Sequence, residues 1–131
     1  MENKDKKSLT DGSAENQHNS KLTFDEQVIS KIVLMSIKEI DGITTAKGSG
    51  GAFFGRSGSA GINVEVGEIE VAVDLRLILE FGKNAKEIYE ELKSSIEEQI
   101  NSMTGLKVVE VNVKVEDVLN SEDFKELIEK N

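Results

Sequence analysis

Between Val71 and Phe81 apolar and polar positions alternate without a break. Val71, Val73, Leu75, Leu77, Leu79 and Phe81 fall on one side, and Ala72, Asp74, Arg76, Ile78 and Glu80 on the other. A period of two is the pattern of a strand buried on one face. The run exceeds the roughly 3–10 residues of an ordinary strand. Its first half is expected to pair in a hairpin and its second half with another strand, with a bulge between them. Upstream, Ile62, Val64 and Val66 alternate with Asn63 and Glu65, and Gly67-Glu68 fits a two-residue hairpin turn of type II′ with glycine first. Ile43 to Lys47 reads as a short strand. Val109, Val111, Val113 and Val115, alternating with Glu110, Asn112, Lys114 and Glu116, read as the last one. Leu22 and Phe24 suggest a further short strand at the start of the ordered chain.

Two segments change period to 3.6. In the first, Val28, Ile29, Ile32, Val33, Ser36, Ile37 and Ile40 recur at helical spacing. Asp25 suits its N-cap because a carboxylate can accept the free amides of the first turn. Phe24 would then pack on Ile29 as a hydrophobic staple. Thr23 and Glu26 offer a competing capping box, and Gly42 is the expected stop. In the second helix Asn84 is the cap, with Glu87 three residues on. Ile88, Tyr89, Leu92, Ile96, Ile100 and Met103 form its apolar stripe, and Gly105 ends it. Ser121 to Lys130, with Phe124, Leu127 and Ile128 on one side, fits a short terminal helix.

Every clear strand has one apolar and one polar face, so the sheet should be covered on one side only. Two amphipathic helices are available for that. The expected fold is α+β: a two-layer sandwich with a mixed β-sheet covered on one face by the two main helices. If the long strand and the last strand run parallel, the helix between them allows a right-handed crossover. Residues 1–20 hold one large aliphatic, Leu9, and are expected to be a flexible N-terminal lead. Residues 21–118 form the α+β domain, and 119–131 a C-terminal tail with its short helix.

Composition narrows the function classes. The 131 residues carry 16 bases and 25 acids, a net charge of −9. The first twenty residues contribute three lysines and four acids, so the charge belongs to the domain. Such a surface repels phosphate, which argues against nucleic acid and against unassisted binding to anionic lipid. No segment approaches the roughly 18 consecutive apolar residues of a spanning helix. The polar first twenty residues lack the apolar segment of a secretory signal. A cytoplasmic protein without direct membrane insertion is the expectation.

Candidate chemistry is sparse. There is no cysteine and one histidine, His18, in the polar lead. Ordinary zinc sites and Cys/His nucleophilic catalysis are excluded by residue supply. Ser57 and Ser59 have no evident base, and acids alternating along strands are the usual solvated face. No catalytic residue, metal ligand or cofactor-binding residue is assigned, and an enzyme is not expected. Gly48 to Gly61 spans 14 residues and holds six of the eleven glycines. It lacks the Gly-Lys-Ser/Thr of a phosphate-binding loop and leads from strand to strand. Gly55-Arg56-Ser57-Gly58 matches the GXXG of RNA-binding KH domains in form only, without their basic surface. Phe53 and Phe54 stand in this segment beside Arg56. Either they fold back over the sheet edge as a small plug, or Phe53, Phe54 and Arg56 anchor a partner or a neighbouring subunit.

Several segments together resemble a known family. They are Lys21-Leu22-Thr23-Phe24 leading into Val28-Ile29, Glu39-Ile40-Asp41-Gly42-Ile43, Ile62 to Glu68 followed by Val71 to Leu75, and above all Met103-Thr104-Gly105-Leu106-Lys107-Val108-Val109-Glu110-Val111-Asn112-Val113-Lys114-Val115. In this order they are similar to the alkaline-shock-protein, or Gls-type general-stress-protein, family of Gram-positive envelope stress response proteins. The resemblance covers about residues 21–116. It implies a small cytoplasmic protein that self-associates, is held at the inner face of the membrane by a small membrane-anchored partner, and has no established enzymatic activity. The chain departs from the family pattern in its glycine segment and in the tail from Ser121 to Asn131. The reading that follows is a non-catalytic scaffold of envelope homeostasis. The alternative is a regulator binding a small metabolite or an enzyme of envelope or lipid-precursor synthesis.

Overall fold

The alternating run becomes the central strand of the sheet. A computed structural model, which describes residues 19–46 and 61–130, orders the chain as α1 (Glu26–Lys38), β1 (Ile43–Thr45), β2 (Ile62–Val66), β3 (Glu70–Glu80), α2 (Ala85–Thr104), β4 (Lys107–Leu119) and α3 (Ser121–Glu129). Along one edge β3 pairs with β4 in parallel, from Glu70↔Lys107 to Glu80↔Leu119. The other edge is shared by two antiparallel partners. β2 takes the first half of β3, from Val66↔Val71 to Ile62↔Leu75, and β1 the second, from Thr45↔Leu77 to Ile43↔Leu79. The sheet is therefore mixed and the fold α+β, with α2 as the crossover of a parallel pair.

One face of β3 carries the core. Val71, Val73, Leu75, Leu77 and Leu79 are buried beneath α1 and α2, together with Ile29, Val33 and Ile37 of α1 and Leu92, Ile96 and Ile100 of α2. Each such side chain contributes about 1.5–3 kcal/mol when fully buried. The ends of α2 follow the sequence signals: Asn84 Oδ1 accepts the Glu87 amide at 3.0 Å, and Gly105 adopts a left-handed φ of +81°. α3 is capped in the same way by Asn120, whose Oδ1 accepts from the Asp123 amide at 2.8 Å. It buries Phe124, which lies outside the main core cluster.

Several local expectations are corrected. Residues 21–25 form no strand: Leu22 is exposed, and Phe24 packs half-buried against the core. Asp25 caps α1 through its backbone carbonyl, which accepts from the Val28 amide at 3.0 Å, while its carboxylate makes no cap bond. Helix α1 ends at Lys38, and Gly42 (φ +97°) serves the turn into β1 instead. The hairpin between β2 and β3 is closed one residue later than expected. The Gly67 amide donates to the Glu70 carbonyl at 2.8 Å, so Glu68 and Ile69 are the central residues and Gly67 has no positive φ.

The bulges lie in β4 and not in β3. Val109 and Glu116 are the extra residues, one between the pairs Val71↔Val108 and Ala72↔Glu110, the other between Leu77↔Val115 and Ile78↔Asp117. Because side chains alternate, each insertion moves the following residues to the opposite face. Val108 and Val111 are buried, whereas Val109 is 49% exposed; Val115, paired with Leu77 on the same face as Val111, is only partly covered. Phe81, expected to extend the buried face, is exposed because the chain leaves the sheet there. Its amide donates to Leu119 O at 2.7 Å, and Gly82 (φ +98°) turns away.

At that end of the sheet a polar clasp joins two connections. The Glu80 amide donates to Gly42 O at 2.9 Å, and Lys83 Nζ donates to Asp41 Oδ2 at 2.9 Å. The lysine stem lies over Gly42, where a Cβ would come within 2.8 Å of Lys83 Cγ. The hydrogen bond to Asp41, then that carboxylate's charge and that of Glu80, hold the Lys83 pKa above its ordinary value of 10.5 against a small desolvation effect.

Two predictions follow from these contacts. Below pH 10.5 the Asp41–Lys83 pair stabilises in full, and its contribution is lost as pH rises through the raised folded-state pKa. Asp41→Asn should therefore bring the Lys83 titration, followed by NMR at Cε, back down towards the ordinary lysine value. An unchanged titration would mean that the bond does not form in solution. The glycines offer the second test. Gly82 has a positive φ but open space around it, so Gly82→Ala should cost about 1–2 kcal/mol in denaturant unfolding. At Gly61, also at positive φ (+83°), a Cβ would stand 2.8 Å from Arg76 O and 2.9 Å from Ala46 O. Gly61→Ala should cost more, roughly 3 kcal/mol or beyond.

Candidate functional site

β1 and β2 are two halves of one edge strand, and they meet at Arg76. The Ala46 amide donates to Arg76 O at 2.8 Å, and the Arg76 amide donates to Gly61 O at 2.8 Å. Both main-chain groups of a single residue of β3 are thus divided between Ala46, ahead of the glycine segment, and Gly61, its last residue. The ladder continues across the junction. A segment can be inserted there without unpairing the sheet, and closing a loop whose ends already touch adds little entropy cost. Phe53, Phe54 and Arg56 lie outside the described residues, so the structure gives their tether and not their contacts. Phe53 is seven residues from Ala46 and Phe54 seven from Gly61. Covalent geometry thus keeps both within about 25 Å of the joint.

The uncovered face of the sheet is a hydrogen-bonded polar surface. Asn112 Nδ2 donates to Asp74 Oδ1 at 2.9 Å and to Glu110 Oε2 at 2.8 Å. Arg76 stands opposite Lys114 in the register, a like-charge pairing that disfavours the sheet. Glu116, the extra residue of the second bulge, offsets it from 3.7 Å away. These pairs are partly exposed and individually weak. Asp74, Arg76, Glu110, Asn112 and Lys114 thus share one face of the sheet. The role of Glu116 depends on the bulge.

A second surface was not apparent from the periodicity. On the outer side of the helix layer a groove of about 350 Å³ runs between α1 and α2. Its apolar rim is made by Val28, Met35 and Met103, which are 42%, 59% and 62% exposed. Lys31 and Glu39 stand at its lips, and Ser36 lines its floor. Ser36 is 2% exposed and its hydroxyl has no hydrogen-bond partner among the described residues. Val28 and Met103 were expected in the buried stripes and are corrected here. α1 and α2 touch along the inner flanks of their apolar faces and leave the outer flanks uncovered. A signal for this exists in the sequence. Val28, Ile32 and Met35 make a second apolar row beside Ile29, Val33 and Ile37, so the apolar arc of α1 is wider than one contact needs.

Among the described residues no group of three or more His, Cys, Asp or Glu side chains is placed to hold a metal ion. No described helix is long and apolar enough to cross a membrane. The described residues present two surfaces, the apolar groove and the polar sheet face.

Comparison with known proteins agrees with the resemblance. The model of the alkaline shock protein 23 family, described as having a cell envelope-related function, matches residues 14–120. Stress response regulator gls24 homologs of Streptococcus pyogenes serotypes M3, M28 and M1 are 42% identical over 113 residues, an alignment covering 79% of this chain and 62% of each relative. The chain thus spans less than two thirds of the length of these curated relatives. No solved structure matches it.

Proposed function

The chain belongs to the alkaline shock protein 23 family of cell envelope-related proteins, and from that premise we propose that it is a non-catalytic interaction protein of envelope homeostasis. It acts by self-association and by recruitment to a small membrane-anchored partner, at the inner face of the cell membrane. The observation that carries this reading is the apolar rim of Val28, Met35 and Met103 around an open groove, on a chain with a net charge of −9. Apolar side chains grouped on so charged a surface support a protein partner more than a nucleic acid or a bare lipid surface. Phe53, Phe54 and Arg56, tethered at the Ala46–Gly61 joint, form the anchor for the recruiting partner.

A groove of about 350 Å³ also falls within the size range of small-molecule sites. That favours a second reading, a regulator that binds a metabolite of envelope or lipid-precursor synthesis. Ligand-dependent stabilisation in a thermal-shift screen would separate it from the first.

The anchor is tested with the doubly substituted chain, Phe53→Ser with Phe54→Ser, used to capture crosslinked membrane proteins from the native cell. Capture should be lost while the melting temperature stays within about a degree of the parent. A fall of several degrees with capture intact would place the two rings in the core and rule out the anchor.

A further inference from the structure

We propose that the groove between α1 and α2 seats a second copy of this chain, in a two-fold symmetric dimer whose axis passes beside Met35. This inference rests on the self-association reading and supplies its interface. Lys31 lies four residues before Met35 on α1, and Glu39, the helical C-cap of α1, four residues after it, both exposed. At 1.5 Å per residue they stand about 6 Å to either side of it along the helix. Two copies of α1 crossing antiparallel at Met35 therefore place Lys31 of each against Glu39 of the other. The lip charges are complementary to themselves under a two-fold rotation, which an isologous interface requires. Among the described residues neither one forms an ion pair within its own chain.

The apolar surface fits the same arrangement. Met35 is the most exposed apolar side chain of α1, and it stands beside the small Ser36, which lines the groove. A methionine from the opposite helix enters such a depression as a ridge enters a groove, and its unbranched chain adapts to the space. Val28 and Met103 then close over it from the two sides. A foreign basic helix would suit a uniformly acidic rim, and this rim has one charge of each sign.

The sequence contains no cysteine, so a single introduced thiol reports on one position only. Met35→Cys in the full chain should oxidise to a disulfide-linked dimer, whereas Val109→Cys, exposed on β4, should stay monomeric on a denaturing gel. Sedimentation equilibrium gives the second measurement. Lys31→Glu or Glu39→Lys turns two attractive pairs into two repulsive ones and should raise the dimer dissociation constant by about tenfold or more. The double reversal, Lys31→Glu with Glu39→Lys, should return it to within about threefold of the parent. All these side chains are exposed, and circular dichroism verifies that each variant is folded. Self-association that ignores the reversals, or equal crosslinking at positions 35 and 109, overturns the groove interface and leaves the self-association reading standing. A parent chain that stays monomeric at millimolar concentration overturns both. A double reversal that fails to recover removes the two-fold pairing.

Discussion

Val71, Val73, Leu75, Leu77 and Leu79 project from one face of β3, and nothing else in the domain can be stable until they are covered. A strand that long needs partners along both edges as well as cover for one face. The parallel partner β4 satisfies one edge over its full length, and this forces a crossover, which is why α2 lies where it does. The other edge is filled end to end by β1 and β2, both antiparallel to β3. α1, running into β1, completes the cover. The polar face of the same strand is left to Asp74 and Arg76, which need only hydrogen bonds and water.

That arrangement leaves freedom in two places. One is the joint at Arg76, where the edge strand is divided without losing its ladder. The hydrogen bonds of Ala46 and Gly61 to one residue keep the ladder continuous across that joint. The other is the outer flank of the helix layer. α1 has a wider apolar arc than the sheet and α2 together consume, so Val28 and Met35 stay in contact with solvent beside Met103. Membership of an envelope-related family and this surplus apolar surface both support the proposed interaction role.

The resemblance was carried by short strings such as Gly105-Leu106-Lys107 and the valines that follow, and comparison bears it out. Those strings report fold because they sit where the fold is demanding. Gly105 holds a left-handed turn, Leu106 is buried, and Val108 and Val111 face the core. Three residues of the resembling segments, Val28, Glu39 and Met103, also line the groove, whereas Ala46 and Gly61 of the joint lie outside them. Relatives longer than this chain add a class of function without naming a contact.

By itself the sequence determined the periods, and with them the strands β1 to β4, the three helices, the caps at Asn84 and Gly105 and the one-sided burial of the sheet. Each of these depends on backbone geometry repeated over a few neighbouring residues, so it is written locally. Only the tertiary structure decided that Val109 and Glu116 bulge, that Phe81 leaves the sheet, that Arg76 joins two half-strands, and that Val28 and Met103 line a groove. These turn on which element lies across from a given side chain. Val28 and Ile29 are equally apolar in sequence, and α2 and the sheet cover only one of them.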